Sequence, residues 1–105
     1  MSDPLVCNMN VFTPAERGAH ILTTTELIQA VQNSREVENG YELVFPNETQ
    51  FISRIAEFIA NERLCCPFLK FTLEVSSSTE PLSLAITGRA GTQEFLRLEF
   101  NGAIT

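Results

Sequence analysis

The segment that decides the fold is NETQFISRIAEFIANERLCCPFLKFTLEV, residues 47–75, in which a helical hydrophobic period changes to a strand period. Before the cysteines, apolar residues recur at helical spacing, as Phe51, Ile55, Phe58 and Ile59. After Pro67 they alternate with polar residues, as expected for a strand with one buried face. Because proline disfavours helical geometry at the preceding residue, the helix should end near Cys65-Cys66. The sequence predicts a helix, a thiol-bearing junction and a strand.

Capping signals place two helix starts. Asn47, followed three residues later by Gln50, predicts a cap for the helix just described. Thr13-Pro14-Ala15-Glu16 predicts a second capping box, with proline at the first helical position and a helix over 14–31. His20 lies on the inward side of that helix. The sequence therefore predicts two long helices.

Turn signals predict two hairpins and a last helix. Asn39-Gly40 is the preferred dipeptide for a two-residue hairpin turn, and it precedes an alternating strand at 41–45. A polar loop at 76–81 separates the strand after the junction from another alternating segment at 82–87. Thr92 is a candidate cap for a short helix over 93–100. Residues 5–12 alternate weakly and predict a strand or an extended arm.

These elements predict an α+β fold: an antiparallel sheet of about four strands with helices packed on one face, built from two helix–hairpin units plus a C-terminal helix. The length of 105 residues predicts one domain over 1–105, with flexible ends at 1–4 and 102–105. Outward-facing Val44, Phe68 and Ala85 are less polar than a solvated sheet face requires. This predicts a homodimer that covers part of that face.

Charge and composition exclude several functions. Thirteen acidic against seven basic residues give a net charge of −6, so nucleic acid and anionic membranes are poor partners. Neither a basic leader nor a run of about 18 apolar residues is present, which predicts a cytoplasmic protein that does not span a membrane. No nucleotide-binding loop, nucleophile triad or paired-histidine motif occurs, so the sequence leaves enzymatic activity undecided.

The cysteines are the main candidates for chemistry. Three thiols in a reducing cytoplasm are expected to be free, metal-bound or redox-active. Adjacent Cys65 and Cys66 can point at one soft ion or form a vicinal bridge, although buried packing is the alternative. With Cys7 and His20 they make a Cys₃His set that suits Zn²⁺ or a softer thiophilic ion.

Three further residues are candidate supports for this set. Glu16 lies one turn before His20 and offers it a partner. Arg63 could favour a nearby thiolate, and Glu62 with Arg63 could form an acid–base pair. Three hypotheses remain: binding of a thiophilic metal or metalloid ion for structure, sensing or sequestration; a thiol-redox or cysteine-nucleophile role, with a small-molecule ligand; and a dimeric interaction module whose cysteines only pack.

The junction reads Glu62-Arg63-x-Cys65-Cys66-Pro67-Phe68, and it resembles a family of small bacterial proteins with an ER-x-CCPF motif. Most of the chain takes part in the resemblance, through Cys7 before Thr13-Pro14 and His20, Asn39-Gly40-Tyr41, Gly88, and Phe95-Leu96. Such proteins are often encoded beside regulators of metal or metalloid stress. The resemblance brings no established activity, but Cys7, His20, Cys65 and Cys66 each match a motif element of the family, which favours the Cys₃His hypothesis.

Overall fold

The computed structural model describes residues 5–104, and in that range an antiparallel sheet is packed against helices. The elements in chain order are a 3₁₀ turn at Met9–Val11, α1 (Pro14–Ala30), β1 (Asn33–Val37), β2 (Gly40–Phe45), α2 (Thr49–Cys65), β3 (Lys70–Glu74), β4 (Leu82–Thr87) and α3 (Thr92–Glu99). The strand order is β1-β2-β4-β3, and every neighbouring pair is antiparallel. The predicted α+β class is confirmed.

One face of the sheet forms the core. Strands β2 and β4 alternate as predicted and bury Tyr41, Leu43, Phe45, Leu82, Leu84 and Ile86. The helices cover this face, since Leu27 of α1, Phe58 of α2 and Phe100 after α3 surround the same small gap as Leu43 and Leu84. Hydrophobic burial on one face therefore fixes the position of α1 and α2, whose contact carries the candidate site.

The two predicted helix caps have different outcomes. In α1 the Thr13 hydroxyl accepts a hydrogen bond from the Glu16 amide at 3.2 Å, and the Glu16 carboxylate accepts one from the Thr13 amide at 2.8 Å. That capping box is confirmed. The predicted Asn47 cap is wrong, because α2 begins at Thr49 after Glu48 without a side-chain cap. The Asn47 amide instead donates to the Ser77 and Glu80 carbonyls in the β3–β4 loop.

The first hairpin turns one residue earlier than predicted. Val37 pairs with Gly40, so Glu38 and Asn39 form the turn, and Asn39 has the positive φ of 55°. Gly40 belongs to β2. A Cβ atom at Gly40 would collide with the Ile86 carbonyl oxygen, so glycine is required by the close approach of β4 rather than by the turn.

Both ends of the described chain differ from the predictions. Residues 5–12 contain no strand: apart from the 3₁₀ turn at Met9–Val11 they have no regular secondary structure, so the strand alternative is wrong. Ala103 and Ile104 are buried in the core, so residues 103–104 are not the loose tail expected for 102–105, whereas residues 1–4 and 105 lie outside the described residues. Thr92 is the first residue of α3, and its hydroxyl donates to the Arg89 carbonyl instead of capping the helix.

The uncovered sheet face is mixed in character. Val44 and Ala85 are half-buried there, while Arg35 pairs with Glu42. Phe68, expected on this face, packs its ring edge-on against Phe95 of α3 with centroids 5.0 Å apart. The homodimer stays a prediction. Among residues 5–104, no helix combines the length and apolar character needed to span a bilayer.

Candidate functional site

The sulfur atoms of Cys7, Cys65 and Cys66 lie together at the C-terminal end of α2. Cys65 is the last residue of the helix and Cys66 caps it, with the Cys66 amide donating to the Glu62 carbonyl at 2.8 Å. The N-terminal segment crosses this helix end, where the Asn8 amide donates to the Cys65 carbonyl at 2.7 Å. An otherwise unpaired carbonyl at the helix terminus thereby positions Cys7 beside the cysteine pair.

Cys7 and Cys66 form a disulfide, with their Cα atoms 4.5 Å apart across a sequence separation of 59. The sequence predicted cysteines that are free, metal-bound or redox-active, and it allowed a vicinal bridge between Cys65 and Cys66. The bridge instead joins Cys66 to Cys7, because the N-terminal segment is held against the end of α2. Cys65 is the free cysteine, and all three sulfur atoms lie within 4.8 Å of one another.

The Cys65 thiol is buried between two neighbours. Its Sγ lies 3.6 Å from Cys66 Sγ and donates to Glu62 Oε1 at 3.3 Å. Burial, followed by the negative charge of Glu62 and this hydrogen bond, raises the pKa of the Cys65 thiol from 9.0 to about 12. Arg63 is exposed on the last turn of α2. The hypothesis of an exposed, low-pKa nucleophile at Cys65 or Cys66 is therefore wrong, since Cys66 is also fully buried.

His20 pairs with a residue distant in sequence. Its Nε2 atom lies 2.9 Å from Glu62 Oε1, and both side chains are buried. The sequence offered Glu16 as the partner, but Glu16 is committed to the α1 cap. Phe58 stacks on the imidazole with centroids 5.8 Å apart, which holds the ring toward α2. Contact between α1 and α2 creates this pair, and local spacing gives no signal for it.

Glu62 links the imidazole to the thiol. Its Oε1 atom serves both His20 and Cys65, whereas Oε2 is buried without a hydrogen-bond partner in residues 5–104, as is His20 Nδ1. His20, Glu62 and Cys65 form a second group of donor atoms within 4.8 Å. The four predicted ligands thus fall into two groups that share Cys65. One group is Cys7, Cys65 and Cys66, and the other is His20, Glu62 and Cys65.

A cleft reaches this buried pair from the surface between the N-terminal segment and the helices. It has a volume of about 200 Å³ and is lined by Met9, His20, Ile21, Thr24, Thr25, Ile28, Glu62 and Glu99. Burial and the charge of Glu62 raise the pKa of the Glu99 carboxyl. Sequence reasoning missed Glu99, because on α3 it reads as an ordinary exposed acidic residue.

Comparison of the chain with protein-family models, with curated proteins and with solved structures gives no match. The resemblance to the ER-x-CCPF family therefore stays a prediction. The geometry of the cysteine cluster is what supports a function for this chain.

Proposed function

We propose that the protein binds a thiophilic metal or metalloid ion through Cys7, Cys65 and Cys66 when the Cys7–Cys66 disulfide is reduced. The observation that carries this proposal is the convergence of the three sulfur atoms within 4.8 Å. Tetrahedral coordination with Zn–S bonds of about 2.3 Å requires sulfur atoms about 3.8 Å apart. The 3.6 Å between Cys65 and Cys66 is already close to that separation.

The surroundings of the sulfur atoms favour a soft ion. Cys65 and Cys66 are buried, so a bound ion would be shielded from water and from competing hydroxide. Thiolate donors select Zn²⁺ and softer ions over Mg²⁺ or Ca²⁺, which prefer oxygen. Three thiolates also carry a charge of −3, which suits a trivalent metalloid such as arsenic(III). Zn²⁺ displaces the thiol protons to solvent, so its affinity should rise with pH, whereas arsenous acid would release its three hydroxyl groups as water together with those protons.

Native mass spectrometry of the reduced chain tests this proposal. Zn²⁺ and arsenite are offered separately, before and after chelator, to the parent and to the Cys7→Ser, Cys65→Ser and Cys66→Ser variants. We expect one ion on the parent and at least about tenfold weaker binding in each variant.

Leu64→Ser is the matched control, because it places a hydroxyl at an exposed position in the same junction and should bind as the parent does. A reduced parent that stays free of both ions, or cysteine variants that bind equally well, would contradict a trithiolate site.

A thiol-redox role is the second candidate, favoured by the disulfide between Cys7 and Cys66. Equilibration of the metal-free chain with glutathione mixtures, followed by mass analysis of trapped thiols, measures its reduction potential. We expect a value near that of a cellular glutathione pool, above about −300 mV. A more negative value would identify a structural bridge and remove the redox role.

A further inference from the structure

The donor group formed by His20, Glu62 and Cys65 lies beside the three-sulfur cluster and shares Cys65 with it. One donor atom from each residue lies within 4.8 Å of the others, and all three side chains are buried. The Cys7–Cys66 disulfide leaves the group intact, because neither of its cysteines takes part. We propose that His20, Glu62 and Cys65 form a second ion site, for a divalent cation such as Zn²⁺, that is available while the disulfide is closed.

The donor chemistry fits a borderline cation. Imidazole nitrogen, carboxylate oxygen and thiolate sulfur are the three ligand types that Zn²⁺ accepts in proteins. A neutral imidazole, an ionised carboxylate and a thiolate carry a charge of −2, which a divalent cation balances inside a buried site. Mg²⁺ and Ca²⁺ do not suit a sulfur donor. The cation displaces the Cys65 thiol proton to solvent when it binds.

The spacing of the donors requires only a small expansion. His20 Nε2 and Glu62 Oε1 are 2.9 Å apart, and Cys65 Sγ lies 3.3 Å from the same oxygen. Ligands of tetrahedral zinc are separated by about 3.4 Å for nitrogen and oxygen and by about 3.6 Å for sulfur and oxygen. Shifts of a few tenths of an ångström would therefore admit the cation.

Two buried polar atoms point independently to a ligand. Glu62 Oε2 and His20 Nδ1 have no hydrogen-bond partner among residues 5–104, although buried polar atoms are generally paired. Both belong to the proposed ligands. A carboxylate can bind a cation through both oxygens, so a cation held by Glu62 would give Oε2 the partner that it lacks among residues 5–104.

The acidic cleft supplies a path for the cation. His20 and Glu62 line it, and Glu99 and Met9 stand along its walls. The carboxylate of Glu99 attracts cations toward the cleft and repels anions. A divalent cation can thus approach His20 and Glu62 through the cleft.

The two sites exclude each other through Cys65. Cys65 is a member of both donor groups, so we expect its sulfur to bind an ion with Cys7 and Cys66 in the reduced chain and with His20 and Glu62 in the oxidised chain. The second site rests on the proposed function only through this shared sulfur, and it stands if the trithiolate site fails.

Cobalt(II) titration of the full chain tests the second site, because sulfur-to-cobalt charge-transfer absorption reports the number of thiolate ligands. The chain is first oxidised, and mass analysis checks that the Cys7–Cys66 disulfide is closed. We expect one equivalent of Co²⁺ to bind, with about one third of the charge-transfer intensity of a three-thiolate site. The Cys65→Ser change should remove this absorption, and His20→Gln should weaken Co²⁺ binding at least about tenfold.

Two matched variants separate the sites. Cys7→Ser, Cys66→Ser abolishes the trithiolate site and should retain the one-thiolate spectrum; oxidised parent protein gives the same information if this variant does not fold. Glu16→Gln keeps the α1 cap while changing an acidic residue one turn from His20, and should bind as the parent does. An oxidised parent without cobalt absorption, or a His20→Gln variant with unchanged affinity, overturns the second site whatever the reduced chain binds.

Discussion

Glu42 and Glu62 are two carboxylates of one small fold with opposite surroundings. Glu42 lies on the uncovered sheet face, where Oε1 accepts from Arg35 and Oε2 from Ser83 at 3.0 Å. The Ser83 hydrogen bond, followed by Arg35, lowers the pKa of the Glu42 carboxyl. Glu62 is buried and has both donors on Oε1, while Oε2 has no hydrogen-bond partner within residues 5–104. Both carboxylate oxygens of Glu42 therefore have hydrogen-bond partners, whereas only one oxygen of Glu62 has them among residues 5–104.

Removal of the Cys7–Cys66 disulfide, which lies beside Glu62, should lower the free energy of unfolding more than any other change. The region around Glu42 has no disulfide. The Cys7→Ser change opens a loop set by a separation of 59 residues, and the chain-entropy estimate for such a loop is about 4 kcal/mol. Urea unfolding in chelator measures the loss. Val6→Ser, at an exposed neighbouring position, should change the free energy of unfolding by less than about 0.5 kcal/mol. A loss below about 1 kcal/mol in Cys7→Ser would show that the bridge does not constrain the unfolded chain.

Removing each carboxylate compares the two regions directly. Glu62→Ala leaves His20 and Cys65 buried without their partner, so we expect a loss of about 3 kcal/mol in the free energy of unfolding. Glu42→Ala should cost less than about 1 kcal/mol, because water replaces its partners. Parallel urea titrations measure both values, and equal losses would remove the distinction between the two sites.

Alkaline pH should lower the free energy of unfolding through the buried Cys65 thiol and not through Glu42. Folding raises the pKa of the Cys65 thiol from 9.0 to about 12, so its protonated form is favoured in the native state. The resulting stability is fully present below pH 9 and is lost as pH rises toward 12, by at most about 1.4 kcal/mol per pH unit. Urea unfolding across this range should give a steeper decline for the parent than for Cys65→Ser. Parallel profiles would argue against a buried Cys65 thiol.

Acid pH should cause the smallest loss in the free energy of unfolding, through protonation of Glu42. Because the pKa of the Glu42 carboxyl is lowered on folding, its contribution is present above the ordinary value of 4.5 and is lost as pH falls below it. Glu42→Gln should remove that contribution, which is below about 1 kcal/mol. Comparison of acid unfolding profiles measures it, and an unchanged profile would show that Arg35 and Ser83 add nothing to stability.

The sequence predicted the fold wherever neighbours in sequence decide the structure. Alternation fixed β2 and β4, and helical spacing with Pro67 placed the end of α2 at Cys65. At two positions, contacts with residues distant in sequence changed the role that the local sequence predicted. The Asn47 side chain donates hydrogen bonds to carbonyls of the β3–β4 loop and so does not cap α2. Gly40 is required by the close approach of the β4 backbone rather than by the turn.

The sequence predicted which residue types belong to the candidate site, but not which of them contact one another. The cysteines and His20 stand out as residue types, yet the partner of His20 lies 42 positions away and becomes visible only when α1 packs on α2. The choice of Cys7 as the disulfide partner of Cys66 likewise depends on the N-terminal segment crossing the end of α2. Contacts between remote segments leave no periodic trace in a single sequence.

The hydrogen bond from the Asn8 amide to the Cys65 carbonyl gives the cluster a built-in spectroscopic reporter. An amide proton held this way exchanges with deuterium only when the N-terminal segment lifts from the helix end. In the reduced chain its exchange rate therefore measures how often Cys7 moves away from the cysteine pair, without a label. In the oxidised chain the disulfide keeps Cys7 joined to Cys66, and the same proton reports only the opening of the hydrogen bond. Reduction, oxidation and ion loading can each be followed through that one proton in solution.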